Sequence, residues 1–232
     1  MSVLIVSGTG TDVGKTITTA ALAACAKGRV AVVKPAQTGE RDGAGGDLAE
    51  ITRLAGVTDT FEFARYPDPL SPHHAAAVSG RPELDFAETA QRIDDLDSEY
   101  DVVLVEGAGG LLVPFTTTDR WTLADLASTL HAPVLVVTAA GLGTLNHTTL
   151  TVDRLAEEHI ALAGIVVGSW PDEPDLATRC NAADLARLGP LVGVLPAGLG
   201  AAPDFRKRAR AGLVRGLGGT FDSRRFVASM RP

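Results

Sequence analysis

The sequence predicts an α/β fold, in which a mainly parallel β-sheet is flanked by helices on both faces. Short apolar runs rich in β-branched residues recur along the chain and are nearly continuous, as in strands that are covered on both sides. Longer segments with helical spacing separate these runs, which is typical of parallel strands joined by right-handed crossovers. We expect a single domain spanning residues 1–232, because this length fits one α/β domain better than two.

The predicted elements alternate along the chain. Six strands are predicted, with the sequences VLIVSG, VAVVKP, DVVLVEG, PVLVVTA, AGIVVGS and LVGVLPA. Helical patterning covers residues 15–27, 85–98, 122–130, 144–159 and 175–188. The Gly-rich segment 41–46 and the Pro-rich segment 65–72 are interpreted as loops, because they are too short for interdomain linkers. Residues that directly follow the strands are expected to gather along one edge of the sheet, where such folds bind ligands.

The charge and composition of the chain limit the kinds of partner that it can bind. The formal net charge is -7, so we expect the protein to be repelled by nucleic acid and by anionic membranes. No apolar stretch reaches the ~18 residues that a membrane span needs.

Residues 201–232 are basic although the whole chain is acidic, with eight Lys or Arg against two acidic residues. A nucleic-acid footprint is the alternative there, but no aromatic interleaving supports it, so we predict a basic helical segment of the same domain. The isolated cysteines Cys25 and Cys180 favour a reducing, cytoplasmic compartment.

The segment SGTGTDVGKT follows the first predicted strand and nearly matches the phosphate-loop pattern GxxxxGK[ST]. Counting back from Gly14 places Thr9 where the first glycine belongs, with a glycine on either side of it. The physical requirements are still met, because free backbone N–H groups and a helix N-terminus face the phosphate. Lys15 reaches the terminal phosphates and Thr16 offers a hydroxyl to Mg²⁺. We therefore predict a P-loop NTPase-like fold; a glycine-rich turn with an exposed lysine is the alternative.

Acidic and basic residues at other strand ends extend this predicted site. Glu106 ends the strand DVVLVEG, and Asp47 precedes a helix, so both are candidates to hold Mg²⁺ at a phosphate loop. The alternatives are a solvated acidic residue for Glu106 and a helix N-cap for Asp47. Lys34 ends the second strand and is expected beside Lys15.

Two helix starts are candidate anion sites. Ser71 in LSPHHAA and residues 144–146 in GLGTLNHTTL each open a predicted helix, whose N-terminus favours a carboxylate. Plain capping is the alternative for both.

Six motifs together resemble one enzyme family. GTGTDVGKT, KPAQTG, GGDLAE, SPHHAA, VEGAGGLLVP and GTLNHTTLT occur in the order and spacing seen in dethiobiotin synthetases, the ATP-dependent carboxylases of biotin synthesis. The resemblance covers roughly residues 3 to 200, and the family's phosphate loop is similarly non-standard at the first glycine.

The resemblance implies a homodimeric ligase that uses Mg²⁺ and ATP or another nucleoside triphosphate. Such an enzyme converts 7,8-diaminopelargonate and CO₂ to dethiobiotin, nucleoside diphosphate and phosphate. A substrate amine captures CO₂ as a carbamate, the carbamate attacks the γ-phosphorus, and the second amine closes a cyclic urea by displacing phosphate. The protein's task is then positioning and electrostatic stabilisation.

The resemblance also implies roles for individual residues. The phosphates lie on Asp12, Val13, Gly14, Lys15, Thr16 and Ile17. The magnesium ligands, direct or through water, are Thr16, Asp47 and Glu106. Further nucleotide contacts come from Gly107, Ala108 and Gly109. Lys34, together with Lys15, is catalytic, because it stabilises the carbamate and the transferring phosphoryl group.

Substrate contacts follow from the same resemblance. Thr11, Thr38 and Ser71 contact the diamine end, as does Lys34. The distant carboxylate meets the helix start at Thr144, Leu145 and Asn146, near the dimer partner.

The base pocket departs from the family pattern. It is expected at Gly168, Ser169, Pro196, Ala197 and Gly198. Relatives often have asparagine where this chain has Gly168 and Ser169, so an asparagine that reads adenine is missing.

A switch ATPase similar to ParA or MinD is the alternative function. The signature lysine of those proteins would fall at Gly10, which argues against it.

Overall fold

The computed structural model describes residues 3–230 and contains one sheet, formed by parallel strands. The one-domain prediction for 1–232 includes residues 1–2 and 231–232, which lie outside the described residues. The seven strands are β1 (Val3–Gly8), β2 (Val30–Thr38), β3 (Thr60–Tyr66), β4 (Val102–Gly110), β5 (Val134–Thr138), β6 (Leu162–Trp170) and β7 (Leu191–Pro196). The α-helices of the described residues are α1 (Lys15–Cys25), α2 (Asp47–Ala55), α3 (Pro72–Ser79), α4 (Phe86–Glu99), α5 (Leu123–Thr129), α6 (Thr144–Glu157), α7 (Leu176–Leu188), α8 (Phe205–Gly212) and α9 (Ser223–Ser229).

The strand order is β3-β2-β4-β1-β5-β6-β7. After β1 the chain forms β2 and β3 on one side of β1, and β4 then lies between β2 and β1. The last three strands, β5, β6 and β7, lie on the other side of β1. The order therefore reverses at β1, and open α/β sheets bind ligands beyond the carboxyl end of such a point. The phosphate loop follows β1, which places it there.

The strands are apolar on both faces because helices cover both. On one face Ile5 and Val105 pack in a cluster that includes Ile93 of α4. On the other face Val6 and Leu104 pack with residues of α1 and α2. Neighbouring residues of a strand point to opposite faces, so continuous apolar runs are what this three-layer arrangement requires. The predicted α/β fold class is confirmed.

Strand β3 is absent from the predicted elements. Its sequence TFEFARY alternates apolar and polar residues, and most of it is only half-buried because β3 forms the edge of the sheet. Such a strand has no continuous apolar run, which is the pattern that predicted the other six strands. The loop predicted at 65–72 was therefore wrong at residues 65 and 66, which belong to β3. It was also wrong at Pro72, which begins α3.

The basic C-terminal segment folds as two short helices rather than one. Between α8 and α9, Leu213 and Val214 form bridges with Gly193 and Phe221. Phe205 and Ala209 of α8 are buried in the core cluster that contains α1. The exposed side of α8 carries Arg and Lys side chains. No helix within residues 3–230 combines the length and apolar character needed to cross a bilayer.

We propose that the segment from 201 onward belongs to the same folding unit as the sheet, and Phe205 tests this. Phe205→Ala should lower the free energy of unfolding by about 3–5 kcal/mol, because it removes a buried aromatic side chain. The matched change Lys207→Ala, on the exposed side of α8, should stay within about 0.5 kcal/mol. Urea denaturation followed by circular dichroism measures both. An unchanged midpoint for Phe205→Ala would mean that α8 contributes nothing to the unit.

Candidate functional site

The phosphate loop is built from backbone geometry that few residues tolerate. Gly14 and Asp12 both have positive φ, at 95° and 58°, and the helix α1 begins directly after Gly14 without a side-chain cap. The first N–H groups of α1 therefore have no intrahelical partner and are available to an anion. Positive φ is uncommon for a residue other than glycine, so the backbone at Asp12 is held in a strained conformation.

The threonine at the first loop position is compatible with this geometry. Thr9 does not have positive φ, so its position does not need glycine. Its N–H donates to the carbonyl of Val137 at 2.9 Å, which anchors the loop to β5. Its hydroxyl lies 3.4 Å from that of Thr138.

Four polar side chains from four elements meet beside the loop. Lys34 of β2 lies with its Nζ 2.6 Å from Asp47 Oδ2 and 2.9 Å from Glu106 Oε1. It also donates to the carbonyl of Gly107 at 3.0 Å. The Thr16 hydroxyl of α1 lies 3.0 Å from Asp47 Oδ1 and 3.1 Å from Glu106 Oε1. Because this hydroxyl has one proton, it can donate to only one of the two carboxylates at a time.

Asp47 does not cap its helix. The N-cap of α2 is Gly46, and no side chain caps this end. The carboxylate of Asp47 is instead directed to Thr16 and Lys34, so the capping alternative for Asp47 is wrong. Glu106 is fully buried, so the alternative of a solvated strand end is wrong as well.

The charges of the cluster set its pKa shifts. Burial alone would lower the pKa of Lys34, but the carboxylates of Glu106 and Asp47 outweigh it and raise this pKa above the ordinary lysine value. Burial would raise the pKa of Asp47, and the Lys34 ammonium reverses that effect, so the pKa is lowered. The pKa of Lys15 is lowered, first by burial and then by the nearby Lys34 charge.

Lys15 differs from Lys34 in its partners. Its Nζ donates to the carbonyl of Gly10 at 2.8 Å. Among residues 3–230, no carboxylate lies within ion-pair distance of it, whereas Lys34 has two. The Lys15 ammonium is therefore the cation left for an incoming anion.

The cluster has the donor set that Mg²⁺ requires. Glu106 Oε2 is buried and has no hydrogen-bond partner in the described part of the chain. Mg²⁺ usually binds through one or two carboxylates and substrate phosphates and keeps several waters. Thr16, Asp47 and Glu106 fit that description. Residues 3–230 contain no group of three or more His, Cys, Asp or Glu side chains that could hold a metal, so phosphate oxygens or water would have to complete the shell.

A cleft of about 800 Å³ opens over the cluster, which is large enough for a small-molecule ligand. Thirteen of the predicted site residues line it: Thr11, Asp12, Gly14, Lys15, Thr16, Ile17, Lys34, Thr38, Asp47, Ser71, Glu106, Ala108 and Gly109. The remaining lining residues were not predicted: Ala36, Gln37, Glu40, Pro69, Leu70, Pro72 and Val113. Gln37 lies within the motif KPAQTG and Glu40 directly follows it, so their place in the sequence was the available signal.

Other predicted site residues lie outside this cleft: Val13, Gly107, Thr144, Leu145, Asn146, Gly168, Ser169, Pro196, Ala197 and Gly198. The Thr144 hydroxyl is 2.7 Å from that of Thr138 and donates to the carbonyl of Ala139 at 2.6 Å. That side chain therefore holds the start of α6 against β5. Ser71 is the N-cap of α3, yet its side chain makes no capping hydrogen bond.

Gly168 packs directly on the phosphate loop. A Cβ at this position would lie 2.2 Å from the carbonyl oxygen of Val13 and 2.8 Å from a methyl group of Val137. Any side chain here would displace the loop backbone. An asparagine at 168 is thus incompatible with the observed packing of the loop.

Comparison with known proteins gives close relatives. The family model described as "AAA domain" matches residues 2–199. The ATP-dependent dethiobiotin synthetase BioD of Frankia casuarinae is 57% identical, covering 98% of both chains. The proteins of the same name from Saccharopolyspora erythraea and Streptomyces avermitilis are 55% and 54% identical, covering 94% and 100% of this chain and 98% and 100% of theirs.

Solved structures share the fold at much lower identity. The cell division ATPase MinD of Pyrococcus furiosus is 17% identical with a TM-score of 0.54, covering 90% of this chain and 95% of its own. A ParA family ATPase from Chlorobium tepidum is 12% identical with a TM-score of 0.52, covering 99% and 98%. These similarities concern the fold alone and do not favour the switch-ATPase alternative.

Gly168→Ala tests the contact between β6 and the phosphate loop. The added methyl group should weaken ATP binding about tenfold, or ~1.4 kcal/mol, because the backbone at Val13 must move. Calorimetric titration with ATP measures the affinity. Gly216→Ala is the matched control, since a Cβ there meets no atom within 4 Å. Equal affinities for both variants and the parent chain would contradict the steric role of Gly168.

Proposed function

This chain belongs to the dethiobiotin synthetase family, and we propose that it is an ATP-dependent cyclo-ligase that converts 7,8-diaminopelargonate and CO₂ to dethiobiotin. The observation that carries this proposal is the cluster of Lys34, Asp47, Glu106 and Thr16 beside a phosphate loop. The near full-length identity to relatives named ATP-dependent dethiobiotin synthetase supports it. The product is a component of biotin biosynthesis.

The chemistry has three steps. An unprotonated amine of the substrate attacks CO₂ to form a carbamate and release a proton. A carbamate oxygen attacks the γ-phosphorus of the triphosphate, giving a carbamic–phosphoric anhydride and the nucleoside diphosphate. The second amine then attacks the carbamate carbon and displaces phosphate, which closes the cyclic urea. No step requires a covalent bond to the protein, so the residues act by position and charge.

Lys34 and Lys15 stabilise the negative charges of this sequence. Lys34 is held at fixed position by two carboxylates and lines the cleft, so its ammonium is placed for the carbamate and the transferring phosphoryl group. Lys15 lies at the N-terminus of α1 and has no carboxylate partner within residues 3–230, which suits the phosphates of the nucleotide. A charge that is oriented before the reaction needs no reorganisation when the transition state forms.

Mg²⁺ is proposed as the cofactor, held by Thr16, Asp47 and Glu106 directly or through water. When bound, it supplies positive charge to the phosphate oxygens. The partnerless Glu106 oxygen supports this assignment.

The diamine is proposed to bind between β2 and the start of α3. Thr11, Thr38 and Ser71 line the cleft. Because the Ser71 side chain makes no capping hydrogen bond to α3, its hydroxyl is available to a ligand. The carboxylate at the far end of the substrate is assigned to the α6 start at residues 144–146, outside the cleft of this chain. Because residues 144–146 do not line this cleft, we propose that a second subunit completes the substrate site.

We propose a homodimer in the cytoplasm. The loop before α6 and the outer face of that helix expose Leu142 by 93% and Leu150 by 61%, and exposed apolar side chains of this kind favour burial in an interface. A fully active monomer in analytical ultracentrifugation at assay concentration would contradict the dimer.

The nucleobase is proposed to lie near residues 168–169 and 196–198. Because Gly168 leaves no room for a side chain, only backbone groups and the Ser169 hydroxyl remain to read the base. A hydroxyl serves as donor or acceptor and so discriminates weakly.

The activity itself is tested by incubating the protein with 7,8-diaminopelargonate, bicarbonate, Mg²⁺ and each of ATP, CTP, GTP and UTP. We expect dethiobiotin and stoichiometric phosphate, with at least one other triphosphate within about tenfold of ATP in kcat/KM, or ~1.4 kcal/mol. Absence of dethiobiotin with every nucleotide would overturn the proposed function. A hundredfold preference for ATP over all three would overturn only the account of the base pocket.

Lys34→Gln should bind nucleotide but lose turnover by about 100-fold or more, because a preorganised charge is removed from a developing oxyanion. Phosphate release measures turnover, and calorimetry confirms that the variant still binds ATP. Lys27→Gln, an exposed lysine after α1, is the control and should keep full activity. Near-normal turnover of Lys34→Gln would remove Lys34 from the mechanism.

A further inference from the structure

Asp47 reaches the cluster at the end of a segment that has little conformational preference of its own. The segment has the sequence ERDGAGG, and we call residues 40–46 the Asp47 loop. Its glycines 43 and 46 have positive φ. Glycine loses more conformational freedom on ordering than other residues, so contacts from outside the loop must fix its position.

Gln37 supplies the contact nearest to Asp47. It lies on β2 between Lys34 and Thr38 and is buried, with 5% of its surface exposed. Its Oε1 accepts a hydrogen bond from the Asp47 N–H at 2.9 Å, and its Nε2 donates to the Thr38 carbonyl at 3.1 Å. Gly46, the N-cap of α2, has no side chain that could accept a hydrogen bond. The Gln37 amide instead accepts one from the first N–H of the helix.

Gly46 must be a glycine for this contact to form. A Cβ at Gly46 would lie 2.9 Å from Gln37 Oε1 and 3.3 Å from an Arg65 guanidinium nitrogen. The side chains of Gln37 and Arg65 therefore both pack closely against the backbone of Gly46. That close approach also explains the final glycine of the segment.

Arg81 pairs with Asp42 of the loop at 2.7 Å, and Arg65 holds three of the loop's carbonyl groups. Its guanidinium donates to the carbonyls of Ala44 and Gly45, each at 3.1 Å, and of Arg41 at 3.3 Å. Two hydrogen bonds of 2.7 Å to Glu62 fix the guanidinium itself. Gln37 and Arg65 are register partners on β2 and β3, so adjacent strands direct them to one face.

We propose that Gln37 and Arg65 are positioning residues that act through Asp47 on the magnesium site. This proposal rests on the role proposed above for Asp47. Neither side chain needs to touch the ion. By fixing the Asp47 loop, they keep the carboxylate between Thr16 and Lys34 before nucleotide arrives. Partners that orient metal ligands in this way typically change metal affinity about 10- to 100-fold when removed.

The test is the Mg²⁺ dependence of nucleoside diphosphate binding, measured by calorimetry on the full chain. Gln37→Met and Arg65→Met should each raise the half-saturating Mg²⁺ concentration about tenfold or more, while ADP affinity without Mg²⁺ stays within about twofold. Arg53→Met is the matched control. Arg53 also pairs with a glutamate three residues away and donates to one backbone carbonyl, but that carbonyl belongs to Gly200.

A double variant separates positioning from general destabilisation. If Arg65 acts only through Asp47, Arg65→Met combined with Asp47→Asn should have the Mg²⁺ requirement of Asp47→Asn alone. Additive effects, or no change in either single variant, would overturn the proposal. If Arg65→Met fails to fold, Gln37→Met combined with Asp47→Asn gives the same readout.

The parent function is checked separately by Glu106→Gln. If Glu106→Gln raises the Mg²⁺ requirement but Asp47→Asn does not, the positioning proposal fails while the proposed function stands. If neither variant alters the requirement, the proposed magnesium site itself fails.

Discussion

The burial of one ammonium group between two carboxylates is the interaction on which the site depends. Lys34 is only 3% exposed, and Glu106 is fully buried. Removing one partner from a buried ion pair commonly costs about 3–5 kcal/mol, because the remaining charge has lost its compensation. The three groups come from β2, α2 and β4, so the fold must bring these elements together before the charges are tolerated. Adjacent placement of β2 and β4 in the sheet satisfies this requirement.

This charge arrangement also separates the roles of the two lysines. Lys34 is paired with two carboxylates, whereas the Lys15 ammonium donates to a backbone carbonyl. Burial lowers the pKa of Lys15, and repulsion from the nearby Lys34 ammonium lowers it further. Nucleotide phosphates would relieve that repulsion. The fold is shared with the distant MinD and ParA family ATPases, so the function of this chain must be sought in these side chains rather than in the fold.

Sequence patterns predicted the elements that have one dominant signal. The continuous strands β1, β2, β4, β5, β6 and β7, the phosphate loop and the gathering of Lys34, Asp47 and Glu106 near it are of this kind. The features that sequence patterns did not predict depend on contacts between distant segments. β3 has the alternating pattern of an edge strand, and Gln37 carries no chemical signal until the N–H of Asp47 is placed against it. The steric demand at Gly168 likewise arises only when β6 meets the backbone of Val13.

The proposed magnesium site is tested most directly by locating a metal ion in crystals grown with Mn²⁺ in place of Mg²⁺ and a non-hydrolysable ATP analogue. Anomalous diffraction locates the manganese independently of the phosphate density. We expect one anomalous peak among Thr16 Oγ1, the carboxylates of Asp47 and Glu106, and the phosphate oxygens, with these groups bound directly or through a single water. Manganese bound to other side chains, with no ion near Glu106 Oε2, would contradict this expectation.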